Sequence, residues 1–239
     1  MKKKVCLDAG HDAGNRANKS PDGTYFEHEF TLDMAKRIKA HLERGGVEVV
    51  ETRPDGREVS LGERCGISNA AEADLFVSLH SNATGSLSTG ADGWGNARGW
   101  ECYVYGLSGE GYRAARAILK QVQGTVPVVR STPIRAWPGL YVLAHTHAPA
   151  VLIEHGFHTS REDVQLLKDS AYRKMLAEAE ARGILNHLGI GREEPSDLGA
   201  AVDKLADAGI IDSPGRWKEL DFTENSVRLL ILKMAAALE

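Results

Sequence analysis

Four side chains stand where chemistry can be done. His11 follows a short apolar run, Glu27 opens a helical stretch, His80 closes a second apolar run and Glu154 closes a later one. Two imidazoles, one carboxylate and a position left for water make the donor set of a catalytic zinc site. Zinc brings the pKa of bound water down to about 7 and polarises a carbonyl, and a second carboxylate can then carry the proton to the leaving group. Glu154 is the residue available for that. The chain has nine histidines, and a lone strand-end histidine is more often structural than a ligand, so spacing alone leaves the assignment open. No HExxH helix, GxSxG elbow or glycine-rich phosphate loop offers a competing centre.

Strand and helix patterns alternate around these residues. Residues 3–8 read as a strand ending in the turn Asp8-Ala9-Gly10-His11. Residues 27–44 read as a helix in which Phe30, Met34, Ile38 and Leu42 recur at i+4, stopped by Gly45-Gly46. Residues 47–52 are a strand, 61–72 a helix and 74–80 a strand. Residues 81–99, rich in Gly, Ser, Thr and Asn, read as a long loop. A strand over 101–105, a helix over 111–123, a proline-interrupted stretch, a buried strand over 150–154 and a closing helix over 171–188 complete the pattern. The expectation is an α/β three-layer sandwich with a mixed, mostly parallel sheet of about six strands flanked by helices. In such sheets sites form beyond the carboxyl ends of the strands.

Residues 1–190 are expected to form the catalytic domain. Residues 189–196 have linker composition, and 196–239 read as a small helical module with amphipathic helices over 197–208 and 223–238 and Trp217 between them. The formal net charge of −4 provides no basic field, which argues against nucleic acid as partner. No stretch approaches the roughly 18 apolar residues that membrane insertion needs. Met1-Lys2-Lys3-Lys4 is followed by too short an apolar run for a signal peptide, so synthesis in the cytoplasm is expected. Cys6, Cys65 and Cys102, odd in number and far apart, read as small core residues rather than a disulfide framework or a metal knuckle.

An ordered set of short motifs goes further. Leu7-Asp8-Ala9-Gly10-His11, Glu27 five residues ahead of Leu32, Thr52-Arg53, Leu61-Gly62-Glu63-Arg64, Asn69, Ser78-Leu79-His80-Ser81-Asn82-Ala83 and Pro149-Ala150-Val151-Leu152-Ile153-Glu154-His155-Gly156-Phe157 occur in this order. Together, over about residues 3–188, they resemble the zinc N-acetylmuramoyl-L-alanine amidases of autolysins, spore lysins and phage endolysins. The resemblance implies zinc ligands at His11, Glu27 and His80 and a catalytic glutamate at Glu154. It also implies peptidoglycan as substrate, cut at the amide between N-acetylmuramic acid and L-alanine, after release to the cell wall. Spacing to Leu32 favours Glu27 over Glu29, which reads as a solvated helix residue. Ser160 stands where many relatives carry Asn.

The other histidines divide by position. His145, His147, His155 and His158 could line the groove or support the metal, or be ordinary loop residues; His28, His41 and His187 read as surface residues. Arg53 and Arg64 read as buried pairing within the fold. Trp94 and Trp137 could stack on sugar or simply pack. The rival functions are a zinc peptidase or deacetylase acting on another bond, and a wall-docking module without turnover. The C-terminal helices are a candidate wall-targeting or homo-oligomer element, or a stabilising cap.

Overall fold

The computed structural model describes residues 2–190, 202, 205–212 and 217. The chain divides into two compact units, Met1–Gly191 and Arg192–Glu239.

The first unit is built on a sheet whose inner strands are buried almost throughout, as strands covered on both faces are, while its two edge strands are more polar and partly exposed. β1 (Lys4–Ala9), β2 (Glu48–Glu51), β3 (Leu75–Asn82), β4 (Trp100–Val104), β5 (Val129–Ala136) and β6 (Ala150–Phe157) form one six-stranded sheet in the order β2-β1-β3-β6-β4-β5. Every neighbouring pair is parallel except β4 against β6. The sheet is therefore mixed and mostly parallel, as expected.

Alternation along the strands sorts the two faces. Val5, Leu7, Leu75, Val77, Leu79, Val151 and Ile153 are buried in one cluster with α1 (Glu27–Arg44), α3 (Gly109–Val122) and α6 (Ser170–His187). On the α1 side Phe30, Met34, Ile38 and Leu42 supply the contact, each contributing about 1.5–3 kcal/mol of burial. Cys6, Phe76, Leu152 and Tyr103 face the other way, towards Cys65 of α2 (Leu61–Ala70) and Val142 and Leu143 of α4 (Tyr141–His145). All three cysteines are free and buried. Helix α1 ends where glycine was expected to end it: Gly46 sits at φ +87°, and the amides of Gly46 and Val47 return to the carbonyls of Glu43 and Leu42, closing a left-handed C-cap.

The structure departs from the pattern reading in the proline-interrupted stretch and at strand ends. The stretch contains β5 and α4. β5 accommodates Pro133 because it is an edge strand, with one side free of ladder bonds. α5 (Arg161–Lys168) is an added helix, opened by Ser160, whose hydroxyl accepts from the Asp163 amide. β3 and β6 run past His80 and Glu154, because the pairing resumes at Asn82 and Phe157 after an irregularity. His28 and His187 are not surface residues: their side chains are only 11% and 10% exposed.

In the second unit, residues 205–207 are helical. Gly209, at φ +68°, ends that turn, with the Gly209 and Ile210 amides donating to Ala206 and Leu205. Most of the two helices expected over 197–208 and 223–238 lies outside the described residues. No helix among the described residues is long and apolar enough to cross a membrane.

Candidate metal centre and active site

His11 leaves β1 in a conformation that non-glycine residues avoid, φ +56°. Two buried arginines hold it there. Arg53 donates to the carbonyls of Ala9, Gly10 and His28, and Arg64 to those of Ala9 and His11. Arg64 is neutralised by Asp8, at 2.7 Å, and Asp8 also accepts from the hydroxyls of Thr52 and Ser78. Both arginines thus act within the fold, as the sequence reading had it. Gly10 is required by close approach, since a Cβ there would lie 2.3 Å from His80 Cε1 and 2.5 Å from the Leu79 carbonyl oxygen.

Glu27 enters from the first residue of α1 and is almost wholly buried. Its Oε1 accepts from His80 Nδ1 at 3.0 Å and from the Ser81 amide at 2.9 Å. Its Oε2 lies 3.4 Å from His11 Nε2. Burial pushes the carboxyl up, but the hydrogen bonds and charges of His11 and His80 outweigh it and hold Glu27 well below the usual carboxylate range. One donor atom from each of His11, Glu27 and His80 falls within 4.8 Å of the others. Two imidazoles meeting an ionised carboxylate fit a divalent ion, zinc above all. Glu29 is exposed and takes no part.

His80 and Glu154 are register partners across β3 and β6, and Glu154 is in turn paired with Glu101 across β6 and β4. Three polar residues therefore lie in one row on the α2 side of the sheet. Glu154 Oε2 is buried with no hydrogen-bond partner. Burial first, then repulsion by Glu27 and Glu101, raises its carboxyl well above the ordinary value.

Among the supporting residues, His155 and His158 were candidates by position, whereas Asn15, Asn18, Tyr25 and Glu180 were not singled out by type and spacing. The amides of Asn15 and Asn18 lie against the His11 ring, at 2.9 Å from Nδ1 and 2.8 Å from Nε2. His158 Nδ1 is 3.8 Å from Glu27 Oε2 and 3.0 Å from the Ser81 hydroxyl, which accepts from the Tyr25 hydroxyl. His155 is fully buried between the His80 carbonyl and Glu180. Burial pulls its pKa down, but Glu180 outweighs that and raises it. Glu180 also accepts from Trp100 Nε1. His145 and His147, by contrast, are not drawn into the centre: His145 stacks on Tyr141 and donates to its carbonyl. Trp94 is half-buried against the core with Arg161 over its ring, which favours packing over an open sugar platform.

Residues 5–186 match the family model described as N-acetylmuramoyl-L-alanine amidase. The chain belongs to this family. It is 30% identical over 187 residues to the N-acetylmuramoyl-L-alanine amidase LytC of Bacillus subtilis (strain 168), covering 77% of this chain and 35% of that one. It therefore spans about a third of that relative's length. The endolysin of Bacillus phage SPP1 is 32% identical over 209 residues, covering 85% of this chain and 73% of that one. Among solved structures, the amidase AmiC2 of Nostoc punctiforme superposes with a TM-score of 0.70 at 31% identity, covering 79% of this chain and 98% of that one. The family match covers the sheet, its helices and all four residues His11, Glu27, His80 and Glu154.

Proposed function

We propose that this chain hydrolyses the amide bond between N-acetylmuramic acid and L-alanine in bacterial peptidoglycan, as a metal-dependent cell-wall lytic enzyme of the endolysin, autolysin or sporulation kind. The observation that carries the reading is the convergence of His11, Glu27 and His80 on one point, with Glu154 next to His80 in the sheet. His11, Glu27 and His80 would hold zinc. Bound there, zinc supplies an acidified water and a Lewis acid for the scissile carbonyl. Glu154, buried and short of partners, takes the proton from the attacking water and hands it to the departing nitrogen of L-alanine. His155 and Ser81 keep His80 and Glu27 in place from behind. The C-terminal unit would serve wall targeting or self-association.

Digestion of purified peptidoglycan by wild type and Glu154→Ala, each with its metal content determined, tests this. Wild type should release free L-alanine amino termini without new reducing sugar ends, and Glu154→Ala should keep one zinc and release none. New amino termini on other residues, or on the sugar, would transfer the reading to a peptidase or a deacetylase. Wild type without bound metal would overturn the ligand assignment.

A further inference from the structure

Beside the centre lies a basic pair that the hydrolytic chemistry does not use. Arg130 and Arg135 are both on edge strand β5, five residues apart. On a regular strand they would point to opposite faces roughly 17 Å apart. The ladder between β4 and β5 is irregular here: Trp100 pairs with Val129, but Cys102 already pairs with Ile134, so two steps along β4 are matched by five along β5. This bulge gathers both guanidinium groups at one oxygen, with Arg130 Nε 3.8 Å and Arg135 NH1 3.7 Å from Glu101 Oε2.

Glu101 cannot absorb both. It is one charge, 1% exposed, and its Oε1 is already taken by Asn82 Nδ2 and the Tyr103 hydroxyl. Its Oε2 is buried without a hydrogen bond, and both arginines stand beyond hydrogen-bonding range of it. One positive charge is left over, and the fork donors of both guanidiniums are unused. Each guanidinium lies over an aromatic ring, Arg130 at 5.3 Å from the Phe157 ring centre and Arg135 at 5.7 Å from that of Tyr103. Their side chains remain 36% and 50% exposed. Trp137, half-exposed, meets Tyr103 edge-on and extends the same face. An arginine pair gathered at one point, partly exposed and with spare donors, suits a carboxylate.

Its place decides which carboxylate. Glu101 pairs directly with Glu154, so the arginines lie about two strand spacings, on the order of 10 Å, from the proton-shuttling residue. Two to three residues of extended peptide cover that distance. The lactyl carboxyl of muramic acid is consumed in the scissile amide and the sugars there are neutral, so carboxylates belong to the peptide side. Resting on the amidase reading above, we infer that Arg130 and Arg135 form the subsite for the free carboxylate of the stem-peptide residue that follows L-alanine. The leaving peptide then runs over β4 and β5, with Tyr103 and Trp137 as its floor.

The test uses the zinc-loaded full chain and two synthetic muramoyl peptides that differ only in a free carboxylate or a carboxamide on the residue after L-alanine, with whole peptidoglycan digested in parallel. Wild type should favour the free carboxylate by about tenfold or more in kcat/KM, mostly through KM, the scale of a charged hydrogen-bonded pair. The double variant Arg130→Gln, Arg135→Gln should lose that preference, falling far more on the carboxylate substrate than on the carboxamide. Arg130→Lys, Arg135→Lys should retain part of it. Equal rates of wild type on both substrates, or equal losses by the variant on both through kcat, would overturn the subsite and leave the pair a support for Glu101. No L-alanine amino termini from any substrate, peptidoglycan included, would instead sink the amidase reading itself.

Discussion

His80 and Glu154 sit opposite each other on adjacent parallel strands, so one of the three residues that converge on a single point and a buried carboxylate oxygen without a hydrogen bond share one rung of the sheet. Their separation is set by the ladder rather than by a loop, which is how a site is held to catalytic tolerance. Glu154→Gln should keep the metal while kcat falls by about two to four orders of magnitude, the usual worth of general acid–base catalysis. Turnover assayed beside metal analysis checks this; a variant within tenfold of wild type would remove Glu154 from the mechanism.

The two buried carboxylates should move stability with pH in opposite senses in metal-free protein. Glu154 has a raised pKa, so its contribution is complete below the ordinary carboxylate pKa and is lost as pH rises through its folded value. Glu27 is depressed, so its contribution is present above the ordinary value and is lost as pH falls. Glu154→Gln should therefore melt above wild type at pH 6, a gap that closes as pH falls to about 4, whereas Glu27→Gln should melt below wild type at both pH values, its gap closing only at lower pH. Melting curves of the three proteins across that range decide it, and parallel shifts would count against the assignment.

Metal should stabilise the fold because the site is assembled only when folded. Zinc at a thousandfold excess over its dissociation constant is expected to add about 4 kcal/mol. Chelation should lower the melting temperature and zinc should restore it. His11→Ala should abolish that response while the chain stays folded.

Gly10→Ala should damage the site from beneath. The added methyl meets His80 Cε1 and the Leu79 carbonyl at 2.3 and 2.5 Å, and overpacking of this kind costs about 1–3 kcal/mol. Urea unfolding should show that loss together with weaker zinc binding. A variant with wild-type affinity would mean that His80 can be displaced without consequence.

Asp8→Ala should be the harshest change away from the centre. It removes the 2.7 Å partner of the Arg64 guanidinium, which is 3% exposed and would keep only the more distant Asp12, at 3.6 Å, and breaking a buried pair costs about 3–5 kcal/mol. Asp8→Asn, which still accepts a hydrogen bond, should cost less. Denaturant titrations of the two variants give the comparison.

The residue order carried much of this protein. The i+4 stripe of α1, the apolar runs of the inner strands and the glycine stop at Gly46 are local patterns, and local patterns fix which elements form and which face they bury. His11, Glu27, His80 and Glu154 stood out by their places at strand ends and a helix start, but spacing left their roles open, and it was the ordered set of motifs and its resemblance to the amidases that singled them out. Tertiary structure decided the rest. The Asp8–Arg64–Arg53 scaffold, the His155–Glu180–Trp100 network and the row His80–Glu154–Glu101 join residues tens of positions apart. No periodicity reports on such contacts, since they depend on strand order and register. The bulge that turns Arg130 and Arg135 to one oxygen breaks the two-residue period itself, so a reading based on that period could only place them on opposite faces.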